Sequence, residues 1–385
     1  MITRVATEEV KMLAHQFKAI AIVGPRQSGK TTLARTVFPD KKYVSLENLD
    51  NRLFAIEDTR GFLAQYGEGA IFDEAQRVPE LFSYLQQVLD EDPQKGKFIL
   101  TGSNNFLLQE NISQSLAGRI GYLYLLPFST EEIRAITDKE QSLEDTIYKG
   151  GYPPIYEGGI APDKWLPNYI RTYVERDVRQ IKNVSNLGAF ERFVKLCAGR
   201  IGQLLNLNSL ANETGVDAKT IASWISVLES SFIIYLLKPH HQNFNKRLVK
   251  MPKLYFYDTG LACSLLGIHN SEQLTSHPSM GNLFENHIIT DMIKSRYNKN
   301  EAMNLYFWRD NVGNEMDVVI DNAGNLYPIE IKSGKTIVPE FFKNFKFWQK
   351  MSGIDGGTII YGGEQIQKRS NGLNVVPWNS QEARI

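Results

Sequence analysis

Gly24, Pro25, Arg26, Gln27, Ser28, Gly29, Lys30 and Thr31 follow the spacing glycine, four residues, glycine, lysine, serine or threonine, between an apolar run at 19–23 and a helix-forming stretch at 30–38. No other feature constrains the fold as much, because a glycine loop between a strand and a helix aims successive backbone N–H groups and a helix N-terminus at one anion. Together with Thr32, these residues are read as a cradle for nucleotide phosphates. Lys30 reaches the β- and γ-phosphates, and the Thr31 hydroxyl holds Mg²⁺ beside ATP. The bland alternative, a glycine turn before an ordinary helix, requires neither the lysine nor the threonine.

Such a loop calls for a parallel sheet, and the sequence supplies one. Apolar runs at 19–23, 43–46, 70–72, 98–100 and 121–126 alternate with helical stretches at 30–38 and 80–89, the pattern of a sheet covered on both faces. At 385 residues the chain exceeds one core, since domains average roughly 150 residues. Four units are expected: an ATPase core at 1–128, a helical connector at 129–187, a winged-helix unit at 188–270 and a last α/β unit at 271–385. The connector is interrupted by Lys149, Gly150, Gly151, Tyr152, Pro153 and Pro154, residues that break a helix.

Lys plus Arg and Asp plus Glu both number 43, so no overall field draws in nucleic acid or an anionic membrane. Any such partner is held by a local patch. Cys197 and Cys263 are too few for a disulfide framework and are expected as reduced, buried thiols. Apolar runs fall short of the roughly 18 residues that cross a bilayer, and no leader pattern opens the chain. A cytoplasmic protein without a membrane partner is expected.

The run at 70–72 ends in Asp73 and Glu74. Asp73 is placed to hold the metal with Thr31, and Glu74 to activate the water that attacks the γ-phosphate. On these motifs the chain resembles the AAA-type P-loop ATPases of bacteria and archaea that carry a carboxy-terminal region of unknown function. Leu100, Thr101, Gly102, Ser103 and Asn104 look like the sensor strand of that family, and Ser115 to Arg119 like its arginine segment. The resemblance implies that Ser103, or Asn104 in reserve, orients the attacking water. It makes Arg119 an arginine finger acting in its own subunit or a neighbour's, with a structural pairing as the alternative. No clear second sensor arginine follows, Arg171, Arg176 and Arg179 being only loose candidates, a departure from the family that speaks against a ring-forming, mechanically coupled ATPase, while an oligomer as such is left open.

Two helices at 207–214 and 218–230 around a turn at Gly215, then strands at 232–237 and 253–257, follow winged-helix order. Ile221, Trp224, Ile225 and Leu228 form a core-facing stripe on the second helix. Lys238, Lys246, Arg247, Lys250 and Lys253 make the wing basic, suited to gripping duplex DNA by its phosphates without reading sequence. A basic face paired with another domain, or a protein partner, is the alternative.

Glu315, Met316 and Asp317 open a strand that turns near Gly324 into Tyr327, Pro328, Ile329, Glu330, Ile331 and Lys332. Alternation sets Glu330 and Lys332 on one face, with Asp317 across the hairpin and Glu285 on the preceding helix. Two carboxylates and a lysine can hold Mg²⁺ and orient water for phosphodiester hydrolysis. The pattern resembles the PD-(D/E)xK nucleases, implying a restriction-endonuclease-like fold with Glu285, Asp317 and Glu330 as metal ligands and Lys332 as catalytic lysine. A solvated pair on an ordinary sheet, or an inherited fold that no longer cuts, is the alternative. The aromatic run from Phe341 to Trp348 is expected as a helix packed on that sheet.

Overall fold

A computed structural model describes residues 2–103, 112, 115–137, 141–180, 186–241 and 248–383, with only the backbone over 173–180. The first sheet comprises β1 (Ala19–Val23), β2 (Lys42–Ser45), β3 (Ala70–Asp73), β4 (Phe98–Gly102) and β5 (Ile120–Tyr124), in the order β2-β3-β4-β1-β5. All neighbours are parallel. β1, β3 and β4 are buried along their whole length, which is why they read as unbroken apolar runs. The helix Thr7–Gln16, not anticipated from the sequence, covers one face with Val10 and Leu13. On the other face Phe62, Phe72 and Phe98 pack ring to ring.

The connector is helical over Thr130–Ile136, Leu143–Lys149, Pro153–Glu157 and Pro162–Gln180. The expected break falls at Gly150 and Gly151, whereas Pro153 and Pro154 begin a helix. Proline lacks the N–H that a first turn leaves unused, and its fixed φ already suits that turn. Two helices, Leu207–Thr214 and Ala218–Ser230, meet at Gly215 in the left-handed region. The expected stripe on the second is buried. An antiparallel pair follows, β6 (Ile234–Leu237) with β7 (Lys253–Phe256). Cys197 and Cys263 are free and buried.

The last sheet is mixed. Its strands are β8 (Leu305–Arg309), β9 (Glu315–Asn322), β10 (Asn325–Lys332), β11 (Gly357–Tyr361), β12 (Gln367–Lys368) and β13 (Leu373–Pro377), ordered β12-β13-β11-β10-β9-β8. The short strands β12 and β13 leave no clear apolar pattern in the sequence. β9 and β10 are joined through Ala323 and Gly324, both at positive φ, the conformation a two-residue hairpin turn requires. The helix Lys343–Ser352 buries Phe345 and Trp348, as its aromatic face predicts. Among the described residues no helix is long and apolar enough to cross a membrane.

Candidate nucleotide site and carboxylate cluster

At the carboxyl end of β1, Gly24 lies against β5: a Cβ there would meet the Leu125 carbonyl oxygen at 2.0 Å. Gly29 caps the helix Lys30–Val37 at φ +91°, where a side chain is strained. The loop therefore curls tightly, and a cavity of about 640 Å³ opens above it, bordered by Arg26, Gln27, Thr32 and Glu47. Lys30 is 5% exposed. Its ammonium donates to the carbonyls of Gly24 at 3.0 Å and Pro25 at 2.7 Å. Burial lowers its pKa to about 8, against the opposing pull of Glu74 and Asp73.

Thr31 Oγ1 donates to both oxygens of Asp73, at 3.0 and 3.1 Å. Two residues that the sequence did not single out share that carboxylate: Tyr43 donates to Oδ2 at 2.7 Å, and Thr101 donates to Oδ1. Burial and the Asp73 carboxylate push the Tyr43 phenol up to about 12. Thr101 was legible in principle, since it stands near the end of a strand, two residues before Ser103. β4 separates β1 from β3 and carries Thr101 into the gap, with Ser103 one residue beyond its end. Ser103 Oγ donates to Glu74 Oε2 at 3.0 Å. Glu74 itself sits at φ +55°, ψ +46°, a conformation costing a non-glycine residue on the order of 1 kcal/mol and frequent at functional sites.

The Ser28 hydroxyl is buried with no hydrogen-bond partner. An orphaned donor within a ring of backbone N–H groups suits a phosphate oxygen, and the Thr31–Asp73 pair suits Mg²⁺. Arg4 braces the loop from outside. It donates to the Ser28 carbonyl at 2.7 Å, the Leu126 carbonyl at 2.8 Å and Glu132 at 2.8 Å.

Arg119 is elsewhere. It precedes β5 and forks Asp90, with Nη2 at 3.0 Å from Oδ2, at the amino-terminal edge of a sheet whose carboxyl edge carries the loop. The structure shows this pairing, and Arg119 does not border the cavity above the loop. Asn104 lies outside the described residues, as do Lys246, Arg247 and the side chains of Arg176 and Arg179. Arg171 does not border the cavity.

In the last sheet the hairpin pairs Ile329 with Val318, so Asp317 and Glu330 come next in register. Asp317 Oδ2 accepts from the Ile331 N–H at 2.8 Å and from Lys332 at 3.1 Å. Lys332 also meets Glu330 at 2.5 Å. Burial, then the Asp317 charge, raises the Glu330 pKa to about 8. Burial pulls Lys332 down, but Asp317 and Glu330 outweigh it and hold the ammonium above its usual range.

Glu285 is engaged differently, by Lys253 at 3.0 Å and Tyr255 at 2.5 Å. Lys253 was expected on a basic wing. It is instead 2% exposed, because β7 is buried on both faces and Glu285 and Glu315 meet its ammonium, while Lys238 and Lys250, outside the strand, stay exposed. Among the described residues, no three acidic, histidine or cysteine side chains are grouped to hold one metal ion.

Residues 16–134 match the model of an AAA domain. The chain carries an AAA-type P-loop ATPase domain. Behind this AAA domain, residues 140–272 match one domain of unknown function (DUF8612) and residues 280–380 another (DUF4143). Uncharacterized proteins of Mycobacterium tuberculosis and Mycobacterium bovis are each 28% identical over 97% of this chain and 83% of their own length. Among solved structures, the Walker-type ATPase of Pyrococcus abyssi is similar over 68% of this chain and 94% of its own, at 16% identity and a TM-score of 0.46.

Proposed function

We propose that this chain is a Mg²⁺-dependent ATPase whose nucleotide state controls its carboxy-terminal half, a winged-helix and restriction-endonuclease-like region that contacts DNA. The observation carrying the reading is the convergence of Lys30, the Thr31–Asp73 pair and Glu74, itself held by Ser103, on one cavity. Thr31 and Asp73 would hold Mg²⁺, which when bound neutralises charge on the transferring phosphoryl group. Lys30 exchanges its two loop carbonyls for phosphate oxygens. Glu74 takes the proton of the attacking water, and Ser103 fixes the carboxylate that does so.

Control of the distal half is supported by the connector. Pro153 and Glu157 border the nucleotide cavity. Two residues before Pro153, Gly151 donates to Asp258 Oδ2 at 2.7 Å and accepts from the Phe128 N–H at 2.7 Å. The Phe128 carbonyl in turn accepts from Lys294 at 2.9 Å. A shift of the helix Pro153–Glu157 on nucleotide binding is therefore felt by groups of both carboxy-terminal domains.

Asp317, Glu330 and Lys332 support a phosphodiester-cleaving site, with the two carboxylates as cation ligands. A second reading, a nucleotide-dependent scaffold for a protein or DNA partner without nuclease activity, is favoured by Lys253 standing among the acids. ATP turnover separates the central claim: Lys30→Ala and Glu74→Gln both lose hydrolysis, by about 10²–10⁴-fold for the second, while Glu74→Gln still binds nucleotide. Normal turnover by Glu74→Gln removes it from the base role. On the same preparations, Mn²⁺- or Mg²⁺-dependent cleavage of nucleic acid that disappears in Asp317→Ala and Lys332→Ala selects the nuclease. Absence of cleavage by the wild type selects the scaffold.

A further inference from the structure

The helix Lys343–Ser352 buries Phe345 and Trp348 and carries no acidic residue. Its outer side bears Lys343, Lys346 and Lys350, all exposed. Spaced three and four residues apart, their side chains stand in one row along the helix. Lys346 also borders a cavity of about 370 Å³ between this helix and the turn from β12 to β13, floored by Phe342, Phe345 and Ile354. Across that cavity stands Arg369, exposed beside the edge strand β12. Its guanidinium lies over the Phe342 ring, 3.8 Å from the centroid, and Nη2 donates to Gln367 at 2.9 Å, so the group is held in place at the cavity's rim. Among the described residues none of these four cations has a carboxylate partner, and the acids that flank the region in sequence, Glu340 and Asp355, do not border the cavity. In a chain whose charges cancel overall, uncompensated cations beside an apolar hollow form the local field that draws a polyanion.

We propose that this hollow and its lysine row seat a single strand of nucleic acid, with phosphates on Lys343, Lys346 and Lys350 and one unstacked base in the cavity against Arg369. The inference rests on the reading that the carboxy-terminal half contacts nucleic acid, and it assigns that contact to the last domain rather than to the wing. Bases stack on aromatic rings and on guanidinium planes, and an arginine already backed by Phe342 presents such a plane without first having to be ordered. Gln349 gives its amide N–H to Asp355, and Asn371 Oδ1 accepts from the Leu373 N–H, which leaves one acceptor and one donor at the cavity for a base edge. An acidic peptide would use the cations but neither the apolar floor nor the amides, and a duplex keeps its bases stacked away from the hollow. The same helix supplies Asn344, whose Nδ2 donates to Glu330 Oε2 at 3.0 Å. That bond ties the element bearing the lysines to the cluster of Asp317, Glu330 and Lys332.

The test is fluorescence anisotropy of a labelled single-stranded DNA of about 12 nucleotides, within the span of one such groove, titrated with full-length protein over a range of salt. Lys343→Gln, Lys346→Gln and Lys350→Gln together remove three phosphate contacts: Kd rises at least about tenfold, and the slope of log K against log salt becomes shallower by about 2. Arginine at the same three positions keeps the parent's slope. For the parent, a strand of equal length without bases binds at least about fivefold more weakly, the loss expected of one stacked base, and Arg369→Gln narrows that gap. The triple Gln variant hydrolyses ATP at the parent's rate, which reports an intact fold; should it not, Lys346→Gln alone, with a slope shallower by about 0.7, is judged by the same criteria. Unchanged Kd and slope in the Gln variants overturn the proposal and leave the nucleic-acid contact to another surface, whereas a parent that binds no nucleic acid overturns that reading as well. Equal binding of the strand without bases, or binding of duplex in preference to the single strand, removes the base seat and with it the proposal. Polyglutamate that competes as well as the single strand overturns it in favour of an acidic protein segment.

Discussion

The ammonium of Lys30 offers a direct test of the phosphate site through pH. In the nucleotide-free chain it is buried against its own loop, and burial has brought its pKa down from 10.5 to about 8. Triphosphate oxygens require the charged form, so the nucleotide complex keeps Lys30 protonated well above that pH. The sign follows: above about pH 8, binding must take up a proton, and affinity falls as pH rises. The free protein is about nine-tenths charged at pH 7 and about one-tenth charged at pH 9, so the Kd for a non-hydrolysable ATP analogue rises about tenfold between them, or roughly 1.4 kcal/mol. Titration calorimetry at pH 7, 8 and 9, in buffers of different ionisation enthalpy, reads both the Kd and the proton uptake. Lys30→Arg provides the control, since a guanidinium stays charged throughout; its affinity, though lower, stays level with pH. A wild-type Kd that is flat from pH 7 to 9, or an Arg variant that weakens just as steeply, refutes the reasoning.

Arg4→Met leaves Glu132, 1% exposed, without its buried partner, and chemical denaturation should register a loss of about 3–5 kcal/mol. The loop it braces through the Ser28 carbonyl loosens as well, so nucleotide affinity falls in the same variant. Gly151→Ala sets a Cβ 2.3 Å from the Phe128 carbonyl oxygen, an overpacking that costs about 1–3 kcal/mol. Because Pro153 moves with it, a fluorescent ATP analogue should bind more weakly to this variant, whereas unchanged affinity would sever the connector from the nucleotide cavity.

The loop and its context were fully legible in the sequence, because strand, glycine turn and helix are local and each leaves its own composition. Asp73 and Glu74 could be read for the same reason: they stand where an apolar strand ends. Likewise the period-two pattern of 325–332 marked Glu330 and Lys332 as neighbours on one face. What could not be read is what comes from far along the chain. Tyr43 and Thr101 reach Asp73 only because β4 and β2 flank β3, an order that no local pattern encodes. The bracing by Arg4 spans 128 residues to Glu132. Arg119 was open to a finger or a pairing role from its motif, and its partner Asp90, 29 residues away, is met only in three dimensions.

Lys253 shows the limit most sharply. Counted along the chain, it is one of five positive charges in a stretch without acids, and a basic wing is the natural inference. In the fold, β7 is buried on both faces, and the helix Met280–Asn298 and β9 set Glu285 and Glu315 against Lys253. Residue order alone located the phosphate loop, the strand that brings the metal-side acid and the hairpin that pairs Asp317 with Glu330, since each follows from contacts between near neighbours in the chain. Which charges stay in solvent and which are consumed within the protein was settled in three dimensions. A buried charge is tolerated only beside its opposite, and the residues that meet that condition here come from separate regions of the chain.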